Sequence, residues 1–250
     1  MRRQLAASVA AFALLHAACA EPAAAEQVLT VFAAASLAGP FAELAVAFER
    51  EQPSACVRTS FAGTSRLVLQ LREGAEADVF ASADELQMQR VELMGLVGDE
   101  PRVFARNRLA IVTAPGNPHD IGALADLARD GLRVALCGPS VPAGRYARRA
   151  LAAAGVVVRP VSDEPNVRAL VAKVELGEVD AGVVYSTDVL AARGRVAGVV
   201  VAAQHQVDAR YPIAALGRSG TASALGKRFV RFVQSPAGRT ILSRYGFLVP

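Results

Sequence analysis

The chain of 250 residues has no tryptophan, three histidines and three cysteines, and aromatics make up only 6% of it. Each scarcity narrows the chemistry. Three histidines, none spaced with carboxylates or thiols in a ligand pattern, do not build a zinc centre. Two of them, His119 in "PGNPHD" and His205 in "AQHQ", sit in polar loop sequence rather than beside a nucleophile. No G-x-S-x-G elbow is present, so a serine hydrolase of that type is not indicated. Asp78 and Asp84 in "ADVFASAD" read as a strand-end residue and a helix cap. Lysine occurs only at Lys173 and Lys227, so nearly all of the 27 cations are arginines, and these are scattered. Without a basic run interleaved with aromatics, nucleic acid is not an expected partner. Beyond the N-terminus there is no apolar run of membrane length.

What is present begins with "MRRQLAASVAAFALLHAACAEPAAAE". Arg2 and Arg3 precede an apolar stretch from Leu5 to Ala18 and then small residues, the pattern of an export signal. Cleavage after Ala20 or Ala25 is expected, giving a signal at 1–25. "LLHAAC" loosely matches a lipoprotein signal in which Cys19 would carry the lipid, although His16 interrupts the match. Cys56 and Cys137 remain in the mature chain, and the reading favours two separate thiols over a bridge.

After the signal, strand and helix patterns alternate. "QVLTVFAA", "CVRTSFAG" and "ADVFAS" read as strands around the helices "PFAELAVAFER" and "TSRLVLQLREG". A second series follows: "RLAIVTAP", "DIGALADLA", "LRVALCG", "PAGRYARRALAAAG", "EPNVRALVAKVELG" and "DAGVVYST". "YPIAAL" is a late strand, followed by two terminal helices. This order predicts an α/β chain of two lobes, each a mostly parallel sheet flanked by helices. The expected division is 26–106 with 210–250 for lobe I and 107–209 for lobe II, crossing near Phe104–Arg108 and returning near Asp208–Tyr211.

Four strand-to-helix junctions carry small, uncharged residues: Ser36; Thr64 and Ser65 after Gly63; Ala143 after Pro142; and Val167 after Asn166. Tyr185 ends the strand "AGVVY". Alone, each has an ordinary explanation, as a helix cap, a first-turn residue or a buried tyrosine. Together they fall at the carboxyl ends of strands, where open α/β sheets bind ligands. A helix start there offers unpaired N–H groups and the positive end of a dipole to an anion.

The segments "VFAAASL", "FAGTSRL" with "ADVFASAD", "VPAGRYA", "NVRALVAKVELGEVDAGVVYSTD" and "YPIAAL", in that order from about Val28 to the C-terminus, resemble the molybdate-binding proteins of bacterial ABC importers. The resemblance implies a type II periplasmic-binding-protein fold that holds molybdate or tungstate between its lobes and performs no catalysis. It implies no cofactor and no directly coordinated metal. Ser36 would give hydroxyl and amide donors, as would Thr64, which stands where the family usually has serine; Ser65 adjoins it. Ala143 and Val167 would give backbone N–H groups and Tyr185 its phenol. It further implies an exported monomer, free in the periplasm or anchored on the outer membrane face through Cys19, that delivers its cargo to a permease and its ATPase. Sulfate on the same fold is the alternative. None of these donors titrates near neutrality, so affinity is expected to be flat from about pH 6.5 to 9.

Overall fold

The computed structural model describes residues 27–217 and 223–250. The expected export signal, with Cys19, lies outside the described residues. The first sheet holds β1 (Gln27–Ala34), β2 (Ala55–Ala62), β3 (Val79–Ala81), β4 (Arg102–Asn107) and β10 (Ala209–Ala215), in the order β2-β1-β3-β10-β4. The second holds β5 (Leu109–Thr113), β6 (Val134–Cys137), β7 (Ser162–Glu164), β8 (Ala181–Tyr185) and β9 (Ala197–Val200), in the order β7-β6-β8-β5-β9.

The two sheets share one grammar. β2, β1 and β3 are parallel, and β10 is antiparallel to both β3 and β4. Likewise β7, β6 and β8 are parallel, and β5 is antiparallel to both β8 and β9. In each sheet four strands therefore run one way and one runs back. The parallel strands are joined by helical crossovers that bury their sides, so β1, β3, β6 and β8 are close to uniformly apolar.

The helices are α1 (Ala38–Glu51), α2 (Thr64–Arg72), α3 (Glu85–Leu93), α4 (Pro142–Ala153), α5 (Val167–Glu175), α6 (Ser186–Ala191), α7 (Ala224–Val233) and α8 (Pro236–Arg244). Their apolar stripes face the sheets. On α1, Phe41, Leu44 and Phe48 are buried, and on α7, Leu225, Phe229, Phe232 and Val233. Phe229 meets Phe41 and Phe48 edge-on at 6.2 and 5.2 Å, which locks α1 to α7. Two of the expected helix ends close as their residues suggest: Gly74 after α2 and Gly155 after α4 take positive φ, the left-handed turn glycine adopts without a Cβ clash.

Several elements were not anticipated. β4, β7, β9, α3 and α6 carry weak signals, because β7 is a three-residue polar segment, "SDE", and α6 is only six residues long. The stretch "DIGALADLA" forms a 3-10 turn at Leu124–Ala128 rather than an α-helix. Cys56 lies in the first sheet and Cys137 in the second, and both thiols are free. No described helix is long and apolar enough to cross a membrane.

The chain passes between the sheets twice. Arg108 alone separates β4 from β5, and the return runs into β10 at Ala209. The lobes also touch away from these crossings. Asp84, which caps α3, forms an ion pair with Arg145 of α4, and Gln87 Nε2 donates to Ser140 O at 3.1 Å.

Candidate functional site

Between the lobes lies a cavity of about 20 Å³. Its walls include Ser36, Thr64, Ala143, Val167 and Tyr185, and no charged side chain. The space is small and is shared by residues of both lobes.

Each residue arrives there for a local reason. β1 ends in a 3-10 turn, Ala35–Leu37, which presents Ser36 before α1 begins. Thr64 is the first residue of α2, buried, with Oγ1 accepting the Ala83 N–H at 3.4 Å. That bond leaves the Thr64 hydroxyl hydrogen available. Pro142 opens α4 with the φ a helix needs and places Ala143 in its first turn. A Cβ on Gly144 would lie 2.3 Å from Cys137 O, so the glycine of "VPAG" lets the helix start sit tightly on the end of β6. Val167 is the first residue of α5, whose cap Asn166 accepts the Ala169 N–H at 3.0 Å and leaves the first N–H groups of the helix to the cavity side.

No side chain caps the 3-10 turn, α1, α2 or α4. Ser36 and Thr64 are therefore not the helix caps that a local reading allows. Both line the cavity together with the first residues of α4 and α5, so the positive ends of these helices face it. Tyr185, at the end of β8, is 1% exposed and its Oη has no hydrogen-bond partner in the protein. The Tyr211 hydroxyl lies near it without hydrogen-bond geometry. Burial holds the Tyr185 phenol well above its ordinary range, so it stays protonated and can only gain by donating to a guest.

Ser65 is not part of this set. It lines a separate cleft with Gly138, Ser140 and Asp163. Gly63, Ala83 and Asn166 do line the cavity. Gly63 has a visible reason: a Cβ there would lie 2.2 Å from Pro165 O of the opposite lobe. Only glycine allows the two lobes to approach this closely at the cavity rim.

One neighbour changes the electrostatic expectation. Asp188 is buried beneath Tyr185 and accepts its backbone N–H at 3.0 Å. Burial pushes its carboxyl up to about 7, only partly offset by that hydrogen bond and by Arg168. A titrating carboxylate thus stands directly behind a cavity residue. The expectation of pH-independent affinity does not account for it. The signal was the acid three residues after Tyr185 in "YSTD", a capping-box spacing. Among the described residues no cluster of His, Cys, Asp and Glu could hold a bare metal ion.

A family model for bacterial extracellular solute-binding proteins matches residues 29–248. The chain belongs to that family. This solute-binding protein is 44% identical over 222 residues to the molybdate-binding protein ModA of Mycobacterium bovis, covering 89% of this chain and 85% of that protein. Its fold is similar to that of the Azotobacter vinelandii periplasmic molybdate-binding protein, with a TM-score of 0.74, 20% identity and coverage of 89% and 99% of the two chains. It is equally similar to the sulfate-binding protein SubI from Mycobacterium tuberculosis, with a TM-score of 0.76, 18% identity and coverage of 89% and 86%. At such identities the likeness concerns the fold, and the anion must be argued from the cavity.

Proposed function

We propose that this protein captures molybdate, and tungstate with it, outside the cytoplasm and passes it to an ABC permease driven by its ATPase. The observation that carries this reading is the small cavity whose polar lining consists of neutral donors from both lobes, with the Tyr185 hydroxyl buried and unpartnered. Neutral donors hold a dianion when they are preorganised, because amide and hydroxyl dipoles supply the field without competing counter-charges. The ModA relatives support molybdate as that dianion.

The binding set is Ser36, Thr64, Ala143, Val167 and Tyr185. The moving units are 26–106 with 210–250 against 107–209, closing about the two crossings so that both lobes reach the anion. The protein acts as an exported monomer after loss of 1–25, free in the periplasm or held at the outer membrane face through Cys19. As a binding protein it captures its solute unchanged and needs no cofactor.

Sulfate is the second reading. It is fully deprotonated at neutral pH, as molybdate is, and the SubI likeness keeps it in play. Hydrogen phosphate fits less well, because its proton needs an acceptor and no carboxylate lines the cavity. Thermal-shift and calorimetric titrations with molybdate, tungstate, sulfate and phosphate test the reading, since a ligand specific to the folded state raises the melting temperature. Tight molybdate and tungstate binding with weak sulfate is the expected outcome. Preference for sulfate or phosphate overturns it.

A further inference from the structure

A serine hydroxyl has one hydrogen, and the groups behind it decide where that hydrogen points. Behind Ser36 stands Tyr211 of β10, with Oη 3.1 Å from Ser36 Oγ. Tyr211 is fully buried and is not part of the cavity wall. Its Oη is also 3.5 Å from Asn107 Nδ2, at the end of β4 where the chain leaves the first lobe.

The orientation of the Asn107 amide is set by obligatory donors. The Arg108 N–H can only donate, and the atom it meets, at 2.9 Å, must be Oδ1. Ser186 Oγ donates to the same oxygen at 3.2 Å. The other side of the amide is therefore the donor side, and it meets Thr187 Oγ1 at 2.8 Å as well as Tyr211 Oη. Tyr211 Oη accepts there and has one hydrogen to place. Ser36 Oγ takes it. In the reverse order the Tyr211 hydrogen would be buried without an acceptor, because Tyr185 Oη makes no hydrogen bond in the protein. Once Ser36 accepts from Tyr211, its own hydrogen is directed to the cavity.

We propose that Tyr211 is a positioning residue: through the chain Asn107–Tyr211–Ser36 it fixes the Ser36 hydroxyl as a donor into the cavity, and so favours tetrahedral anions without a proton over those that carry one. This rests on the oxyanion reading of the cavity. Burial keeps the Tyr211 hydroxyl protonated far beyond the working pH range, so the chain is not interrupted by its ionisation. Ser186 and Thr187 belong to the second lobe while Tyr211 and Ser36 belong to the first. The order of donors is therefore complete only when the lobes are seated on each other at the crossing.

Tyr211→Phe tests this with little disturbance, because it keeps the ring that packs edge-on against Phe104, Tyr185 and Phe247. Molybdate and hydrogen phosphate are titrated calorimetrically into the parent, Ser36→Ala, Tyr211→Phe and the double variant, with melting curves to verify folding. Ser36→Ala is expected to weaken molybdate by about tenfold or more and Tyr211→Phe by about fivefold. The double variant should fall little below Ser36→Ala alone, because both changes act through one hydroxyl. Tyr211→Phe should also narrow the preference for molybdate over hydrogen phosphate, since a freed Ser36 hydroxyl can accept.

Losses that multiply in the double variant, an unchanged anion preference, or parent-like affinity in Tyr211→Phe each overturn the proposal. Asn107→Ala, one link back, should show a smaller loss that is likewise absorbed by Ser36→Ala, and it serves if Tyr211→Phe folds poorly. If the parent prefers sulfate, the molybdate reading fails, and the same cycle run with sulfate still decides the role of Tyr211. A parent that binds no tetrahedral anion overturns both.

Discussion

Two kinds of helix start stand against each other in this molecule. α3, α7 and α8 are closed by their own sequence: Asp84, Ser223 and Ser235 each accept the N–H three residues on. The 3-10 turn at Ser36, α2 and α4, which open on the cavity, have no side-chain cap. α5 stands between them, since Asn166 satisfies Ala169 N–H only. A helix leaves its first amides without internal partners, and a cap that satisfies one contributes about 1 kcal/mol. Where that stabilisation is forgone at several starts around one cavity, the amides are left for a guest.

The sharpest way to break this comparison is to keep the open helix starts apart. Gly63→Ala has an ordinary backbone conformation to occupy, yet its methyl would collide with Pro165 O across the cleft. Molybdate affinity should fall by about 100-fold through overpacking at closure, with the melting temperature of the free protein nearly unchanged. Calorimetry showing parent affinity would mean that the lobes need not meet at Gly63.

Removing a single open donor should cost less. Val167→Pro suits the first position of α5, because Asn166 before it is already extended, with φ −167° and ψ 169°. It deletes one N–H and should weaken molybdate by roughly 30-fold, the loss of one hydrogen bond to a charged guest at about 2 kcal/mol. An unaltered titration would remove Val167 from the donor set.

Asp188 gives a smaller effect that depends on pH. Its folded value of about 7 lies above the unfolded carboxylate value of about 3.9, so the folded state favours the proton. Its contribution to stability is fully present below about pH 4 and is lost as pH rises through about 7. A dianion above Tyr185 also favours the protonated form, so molybdate affinity should decline by about three- to tenfold from pH 6 to 8. Asp188→Asn retains an acceptor for the Tyr185 N–H and should flatten both profiles. A parent affinity already flat over that range would show that Asp188 does not sense the guest.

The closed group supplies the control. Ser235→Ala opens the start of α8, where Ser235 Oγ accepts the Gly238 N–H at 3.2 Å. It should lower stability by about 1 kcal/mol in denaturant unfolding and leave molybdate affinity untouched. A change in affinity would blur the distinction between the two kinds of helix start.

Ser36, Thr64 and Ala143 were legible in the sequence because each sits where an apolar strand pattern switches to a helical one, Val167 because it opens a helical pattern and Tyr185 because it ends an apolar strand pattern. Such switches are local, set by backbone propensity and side-chain period within a few residues. The same locality identified the alternating strands and helices and hence two layered α/β lobes. The structure alone shows that these residues, drawn from both halves of the chain, share one cavity, and that Ser65 lines a different cleft. Tyr211 bonds Ser36 across 175 residues and Asn107 across 104, while the Asn107 amide also reaches Thr187 80 residues away. These contacts exist because β10 returns antiparallel between β3 and β4 and because the crossing at Arg108 seats one lobe on the other. Hydrogen bonds fix position to within a few tenths of an ångström, whereas sequence pattern fixes only which face a residue is on. Donors at helix starts were therefore written in the sequence, and the direction in which they point their hydrogens was decided by the packing of the two lobes.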